Sequence, residues 1–173
     1  MVDFNFKKIS TINVNSCVDI IKSFTEKDWN RFTYRQNTWE VHQHTKTIPL
    51  LFDIDNMTKK IEDIKSVTAR LHYPKFKFLL EAVSDICKDT YGDGYLLRAI
   101  LTSLKSKHSI AEHKDESDNL EKCKRLHMAI LTDPECIFIV GDEKKYMRPG
   151  EIWEINNAGK EHSVHNKSNI DRV

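Results

Sequence analysis

The sequence contains no long apolar run. No stretch approaches the ~18 consecutive apolar residues that a membrane-spanning helix needs. The N-terminal residues MVDFNFKK also lack the apolar segment that follows the positive charges of a secretory signal. We therefore expect no membrane partner and a cytoplasmic location.

Cysteine is sparse, and the cysteines that are present form no Cys-x-x-Cys pair. The four lie far apart in the chain: Cys17, Cys87, Cys123 and Cys136. This spacing argues against a structural zinc site and against a disulfide-rich secreted scaffold. We interpret them as reduced, mostly buried thiols.

The chain also lacks an excess of either charge. Its 27 basic and 26 acidic residues give a net charge of +1 and are spread along the sequence. Nothing in this pattern resembles the basic patch of a nucleic-acid-binding protein, so we expect no nucleic-acid partner. With 173 residues, no internal repeat and no low-complexity segment, residues 1–173 are expected to form a single domain around one core.

The first half of the chain has mixed secondary-structure signals. Residues 1–34 include apolar positions at helical spacing and are predicted to form a helical N-terminal lid. Residues 35–54 alternate in polarity and predict two strands, the second confined to a sheet edge by Pro49. The polar residues 53–72 predict a mobile connection. Apolar residues at three- and four-residue steps then predict a helix over about 75–90.

From Tyr95 onward the sequence consists of short β-type segments separated by turn residues. Asp133-Pro134, Gly141-Asp142 and Asn157-Ala-Gly159 are examples of those turns. Many short strands without alternating helices predict an antiparallel jelly roll. The expected fold is therefore mainly β: a double-stranded β-helix (jelly roll, cupin-like) over 35–173, with N-terminal and central supporting helices.

A His-x-Asp pair supplies the first candidate for chemistry. His113 and Asp115 are two residues apart, so on an extended strand both side chains leave the same face and can bind one metal ion. A histidine about fifty residues further on, His162 or His165, can supply a third ligand. Two histidines and one carboxylate with open coordination positions are typical of non-haem Fe(II) oxygenases.

Four segments with their spacing resemble the aspartyl/asparaginyl β-hydroxylase family, which includes bacterial hydroxylases of free proline. The resemblance extends from about Arg31 to the end of the chain and is densest after Tyr95. The segments are Leu97-Arg-Ala-Ile-Leu-Thr-Ser-Leu, Ile110-Ala-Glu-His-Lys-Asp, Arg125-Leu-His127 and His162-Ser-Val-x-Asn with Arg172 ten residues after His162. The resemblance implies an Fe(II)- and 2-oxoglutarate-dependent dioxygenase that uses O2 to hydroxylate an unactivated C–H bond.

The resemblance also implies roles for individual residues. The metal ligands would be His113, Asp115 and His162, because the family's distal motif begins with the ligand and makes His165 a variable position. Some family members have glycine where this chain has Asp115.

For 2-oxoglutarate, the resemblance implies that Arg172 pairs with the distal carboxylate and that Arg125 and His127 contact the metal-side carboxylate. A core or salt-bridged role for Arg125 and His127 is the alternative. Thr102 is a further candidate hydroxyl donor to the same anion.

The substrate is less well defined. Trp39, His42 and Arg98 fall where relatives approach the substrate, although an aromatic residue on an alternating strand is more often part of the core. Arg98 is the nearest unassigned cation in the sequence, which favours a free amino acid such as proline or aspartate. Two alternatives remain: a hydroxylase of Asp or Asn side chains in a peptide or protein, and a cupin-like protein that binds metal without catalysis.

Overall fold

The computed structural model describes residues 3–53, 60–64, 66–115 and 121–173. The strands are β1 (Phe6–Thr11), β2 (Thr45–Asp53), β3 (Val67–Ala69), β4 (Ala99–Leu104), β5 (Ser109–His113), β6 (Leu126–Met128), β7 (Cys136–Val140), β8 (Glu143–Lys145), β9 (Glu151–Ile155) and β10 (His162–Asn166). The α-helices are α1 (Asn15–Lys22), α2 (Glu26–Trp29), α3 (Tyr34–Thr38) and α4 (Tyr73–Tyr91), and short 3₁₀ turns cover Glu40–His42 and Ile61–Asp63.

The strands form three antiparallel sheets with the orders β1-β9-β6, β5-β10-β7-β8 and β3-β2-β4. Their non-consecutive neighbours mean that each sheet joins distant parts of the chain, as in a jelly roll. The alternating burial of β7 shows one side chain in two facing the interior, which is the pattern of a sheet covering a core. The predicted mainly β, jelly-roll-like fold is therefore confirmed.

Helix α4 is the central helix that the sequence predicts. It begins at Tyr73 with Pro74 in its first turn, where a missing N–H costs nothing, and it is followed by Gly92 at φ +88°. Phe76 is fully buried among apolar side chains of β2 and β4, including Ile48 and Leu101. The helix thus supports the sheet β3-β2-β4. No helix in the described ranges is long and apolar enough to cross a membrane.

The predicted helical region 1–34 needs a correction, because it contains a strand. Strand β1 pairs antiparallel with β9, and Phe6 packs edge-on against Phe138 and Trp153. The Lys8 side chain on the same strand reaches Glu151 at 2.7 Å. The two consecutive lysines obscured the strand pattern in the sequence. Strand β1 is an edge strand, and its pairing with β9 gives Phe6 a buried position. Helices α1 and α2 follow within the same region.

Residues 35–44 are helical rather than a strand, which is a second correction. The alternating pattern there reflects a short helix, α3, followed by the 3₁₀ turn Glu40–His42. The Gln36 side chain donates to the backbone oxygen of Thr45 at 3.0 Å and fixes this segment to the start of β2. Pairing with β4 begins only at Thr45, so the earlier residues have no neighbouring strand.

Pro49 lies in a central strand, not at an edge. Strand β2 pairs with β4 on one side and with β3 on the other, but β3 reaches only Leu51, Phe52 and Asp53. The register with β4 also shifts between Pro49 and Leu51. The missing N–H of proline is therefore accommodated by a short neighbour and a bulge. Of the predicted 53–72 connection, residues 54–59 and 65 lie outside the described residues.

Candidate metal centre

The two candidate histidines meet through strand pairing. Strands β5 and β10 are antiparallel neighbours in which His113 lies directly opposite His162, with ring centroids 4.2 Å apart. Asp115 follows β5, and its carboxylate oxygens lie 3.8 Å from His113 Nε2 and 3.9 Å from His162 Nε2. The three ligand atoms lie within 4.8 Å of one another. This is the two-histidine, one-carboxylate donor set that suits Fe(II).

His113 is oriented for metal binding by its own strand. Its Nδ1 lies 2.8 Å from the backbone oxygen of Ala111, which can only accept a hydrogen bond. Nδ1 therefore carries the proton, and the lone pair of Nε2 points toward Asp115 and His162. Such a bond to the second ring nitrogen is the usual way in which proteins fix a ligating imidazole.

Asp115 is held by Asn157, a residue that the sequence analysis did not select. The Asn157 side-chain amide donates to Asp115 Oδ2, and the Asp115 backbone N–H donates to the backbone oxygen of Asn157 at 3.2 Å. Arg125 also reaches Oδ2, at 3.2 Å. Burial opposes ionisation of Asp115, but Arg125 and Asn157 outweigh it and keep the pKa of this carboxyl below its usual value. The ligand is therefore anionic at neutral pH.

His162 is buried, with 5% of its surface exposed. Burial lowers the pKa of His162 to about 4, although the Asp115 carboxylate acts in the opposite direction. The imidazole is thus neutral at pH 7, as a metal ligand must be. His165 lies apart from this cluster, with its ring nitrogens 3.1 Å from the Ser109 hydroxyl and 3.2 Å from the Ser163 hydroxyl. This arrangement favours His162 as the third ligand.

Arg172 lies half-buried beside the metal centre. Its guanidinium lies over the Phe138 ring at 6.0 Å, and Phe138 in turn stacks parallel to His162 at 6.4 Å. Burial lowers the pKa of Arg172 from a high ordinary value, and no carboxylate pairs with it among the described residues. Its backbone exchanges two hydrogen bonds with Leu104, of 2.7 and 2.9 Å. The guanidinium is therefore firmly positioned and available to an anion.

His127 lies on the same side of the centre as Arg172. Its ring meets Phe138 edge-on at 5.1 Å. Burial, followed by the charges of Arg125 and Arg172, holds the pKa of His127 well below its ordinary value. A neutral histidine here can offer one N–H to an anion. Arg172 and His127 thus share one pocket, whereas Arg125 lies against the metal ligand Asp115.

Thr102 faces a residue that the sequence analysis also overlooked, Arg35 on α3. Arg35 Nη1 donates to the Thr102 hydroxyl at 3.3 Å and to the Thr47 hydroxyl at 3.5 Å. Its Nη2 donates to His42 Nε2 at 2.9 Å. The Thr102 hydroxyl accepts a hydrogen bond from this guanidinium and still has its own O–H to donate, so its contact with 2-oxoglutarate stays a prediction.

The residues predicted to contact the substrate separate into two groups. The His42 ring lies edge-on to His113 at 5.8 Å, and Trp39, which is 37% exposed, lies edge-on to His42 at 6.4 Å. Both therefore line the approach to the metal centre. Arg98 instead forms a 2.6 Å ion pair with Asp53, whose side chain is 1% exposed. That pairing argues against a substrate role for Arg98, which lies just before β4 and about 13 Å along the chain from Thr102.

Comparison with solved structures finds a protein of similar fold. A crystal structure of an oxidoreductase of the 2OG-Fe(II) oxygenase family from Burkholderia pseudomallei has a similar fold, with a TM-score of 0.54 and 13% sequence identity. The match covers 86% of this chain and 75% of that chain. At this identity the likeness is one of fold. A search of curated proteins found no match.

The family is more specific than the fold. Residues 7–173 match the profile of the family described as Aspartyl/Asparaginyl beta-hydroxylase. Because the match spans almost the whole chain, the chain belongs to the aspartyl/asparaginyl β-hydroxylase family. Membership supports a hydroxylase, and the cluster of His113, Asp115 and His162 is a group that could hold a metal ion.

Asn157 should govern metal affinity without being a ligand. Asn157→Ala removes the amide that holds Asp115 Oδ2, so the carboxylate is less well oriented, and we expect Fe(II) affinity to fall by about 10- to 100-fold. Isothermal titration with Fe(II) under nitrogen measures this change. Asn30→Ala, which removes an exposed amide bound to Glu26, serves as the matched control. Unchanged affinity in Asn157→Ala would show that Asp115 needs no such support.

Proposed function

We propose that this protein is an Fe(II)- and 2-oxoglutarate-dependent dioxygenase that hydroxylates an unactivated C–H bond of an amino acid. The observation that carries the proposal is the cluster of His113, Asp115 and His162 next to Arg172, a half-buried cation with no carboxylate partner among the described residues. A metal site and an anion site side by side are the two requirements of a 2-oxoglutarate enzyme.

The residues divide the task between them. His113, Asp115 and His162 would hold Fe(II), which with O2 and 2-oxoglutarate supplies the oxidation that yields succinate and a hydroxylated product. Arg172 would bind the distal carboxylate of 2-oxoglutarate, since a guanidinium fork matches a carboxylate bidentately. The neutral His127 would donate a hydrogen bond to the co-substrate in the same pocket. Phe138 contacts His127, His162 and Arg172 and would give that site an apolar wall.

A metal-binding protein without catalysis is the alternative from another class. A structural metal site is closed by protein ligands and has no use for a buried cation beside it. A half-buried Arg172 guanidinium without a partner would be unfavourable in such a protein, because a charge withdrawn from water and left unpaired destabilises the fold. Its presence supports the enzyme over the binding protein.

For the substrate we favour a free amino acid, with proline and aspartate the first to test. One observation favours a hydroxylase of Asp or Asn side chains in a peptide instead. Tyr34 and Trp39 are 48% and 37% exposed and contact each other at the approach to the centre, with ring centroids 5.6 Å apart. Exposed aromatic pairs of this kind provide a surface on which a peptide can pack.

The function is tested by adding Fe(II) and then 2-oxoglutarate to the protein without oxygen. We expect one equivalent of each to bind and to produce the visible charge-transfer absorption of a chelated 2-oxoglutarate. Admission of air with a panel of free amino acids should then release succinate in proportion to hydroxylated product. A protein that binds Fe(II) but not 2-oxoglutarate would instead support the non-catalytic alternative. Succinate release with an Asp or Asn peptide alone would replace the free amino acid as substrate.

A further inference from the structure

Arg35 is a largely enclosed cation whose partners are all neutral. Its acceptors are the hydroxyls of Thr47 and Thr102 and Nε2 of His42. Within the described ranges no carboxylate forms an ion pair with it. A guanidinium carries five N–H bonds, and only three are used in these contacts. The remaining donors can serve an anion that enters from outside the protein.

The position of Arg35 places that anion beside the metal centre. His42 lies between the two, bonded to Arg35 at 2.9 Å and packed edge-on against His113 at 5.8 Å. Burial, followed by the nearby charge of Arg125, lowers the pKa of Arg35 to about 10. Arg35 therefore remains a cation at neutral pH, although the like charge of Arg125 nearby is unfavourable.

The described charges around the metal centre favour binding of a carboxylate in addition to 2-oxoglutarate. Among the described residues, the charges of Arg35 and Arg125 act on a single carboxylate, that of Asp115, while Arg172 pairs with none. Fe(II) together with dianionic 2-oxoglutarate adds no net charge. Counted over the described residues, the loaded centre would still hold a positive excess, which a carboxylate of the substrate would reduce.

Arg35 and Arg172 lie in different surroundings beside the metal centre. Arg35 lies on α3 near the charges of Arg125 and Asp115, and its side chain contacts β2, β4 and the 3₁₀ turn Glu40–His42. The guanidinium of Arg172 instead lies against Phe138 and Met147. One cation can therefore anchor 2-oxoglutarate while the other remains for a different ligand.

We propose that Arg35 binds a carboxylate of the substrate, so that the enzyme selects an amino acid with a free carboxylate over its amide. This inference rests on the proposed function. Thr47, Thr102 and His42 position the guanidinium before the substrate arrives, which reduces the ordering cost of binding. The carboxylate is either the α-carboxylate of a free amino acid or the side-chain carboxylate of an aspartyl residue.

Three pairs of probes separate these sources in the protein loaded with Fe(II) and 2-oxoglutarate under nitrogen. L-proline against L-prolinamide reports on the α-carboxylate, L-aspartate against L-asparagine on a free side chain, and an Asp peptide against its Asn counterpart on a peptidyl side chain. In wild-type protein we expect the acid of at least one pair to bind about thirtyfold or more tightly than its amide, the scale of a buried charge pair.

The variants give the decisive comparison. Arg35→Gln should abolish the preference for the acid while leaving 2-oxoglutarate affinity unchanged, and Arg35→Lys should keep part of it. Arg31→Gln, at an exposed arginine near the start of the same segment, is the matched control and should behave as wild type. Thermal unfolding of each variant, with and without Fe(II), shows whether the fold persists.

Three outcomes would overturn the inference: a preference retained in Arg35→Gln, a loss of 2-oxoglutarate binding in that variant with amino-acid binding intact, or a wild-type protein that binds 2-oxoglutarate but distinguishes no acid from its amide. Each leaves the proposed function standing. Failure of wild-type protein to bind 2-oxoglutarate would contradict the proposed function, and acid preference measured on the Fe(II)-loaded protein alone would then decide on Arg35.

Discussion

His162→Ala is expected to reduce Fe(II)-dependent turnover of 2-oxoglutarate to background. The substitution removes one of three protein ligands, and the two that remain, His113 and Asp115, come from one end of a single strand and cannot enclose the ion from the opposite side. The same loss is expected for His113→Ala and for Asp115→Ala. Succinate formation measures turnover, and titration with Fe(II) shows whether the metal site itself has been lost.

His165→Ala is the matched control for the third ligand. It lies three residues further along β10, and its ring bonds to the hydroxyls of Ser109 and Ser163 instead of the metal cluster. Most activity should therefore survive. An inactive His165→Ala together with an active His162→Ala would place the ligand at the other histidine and overturn the assignment.

Arg172→Ala should raise the concentration of 2-oxoglutarate needed for turnover at least about thirtyfold. Truncating one partner of a buried guanidinium–carboxylate pair costs roughly 2–5 kcal/mol, and the Arg172 pocket is enclosed by Phe138 and Met147. Arg172→Lys should restore only part of the affinity, because lysine lacks the planar fork. Turnover as a function of 2-oxoglutarate concentration measures the effect.

Arg148→Ala is the corresponding control, since Arg148 is exposed on a turn and should leave the 2-oxoglutarate requirement as it is. If Arg172→Ala also left it unchanged, Arg172 would not anchor the co-substrate, and Arg125 or Arg35 would be the next cation to examine.

The candidate metal cluster could be proposed from the sequence because His-x-Asp is a local pattern and the family resemblance supplied His162 and Arg172. His113 and Asp115 share a face through a two-residue step, and the spacing from His162 to Arg172 is fixed by one strand and the turn after it. The structure shows both strands and the histidines opposite each other. The fold class was equally accessible, since many short strands with turn residues between them depend on local signals.

Other features depend on contacts that no local pattern records. Arg35 was missed because residues 35–44 alternate like a strand, while the structure forms α3 and points the guanidinium inward to Thr102. Asn157 lies in a turn sequence, and its bond to Asp115 crosses a long stretch of chain. Arg98 is close to the metal motif in sequence, yet it forms an ion pair with Asp53. Burial and long-range pairing decide each of these cases.

Because His113 and His162 lie directly opposite each other, a bound metal ion would link β5 to β10 in the C-terminal part of the chain. In the unfolded chain these ligands are about fifty residues apart, so an ion that requires all three binds only after β5 and β10 have paired. Such an ion at a hundred times its dissociation constant would stabilise the folded state by about 2.7 kcal/mol. Strand β10 leads directly to Arg172, whose backbone is held by Leu104. The ion would thus strengthen the pairing of the strand that precedes Arg172 in the chain.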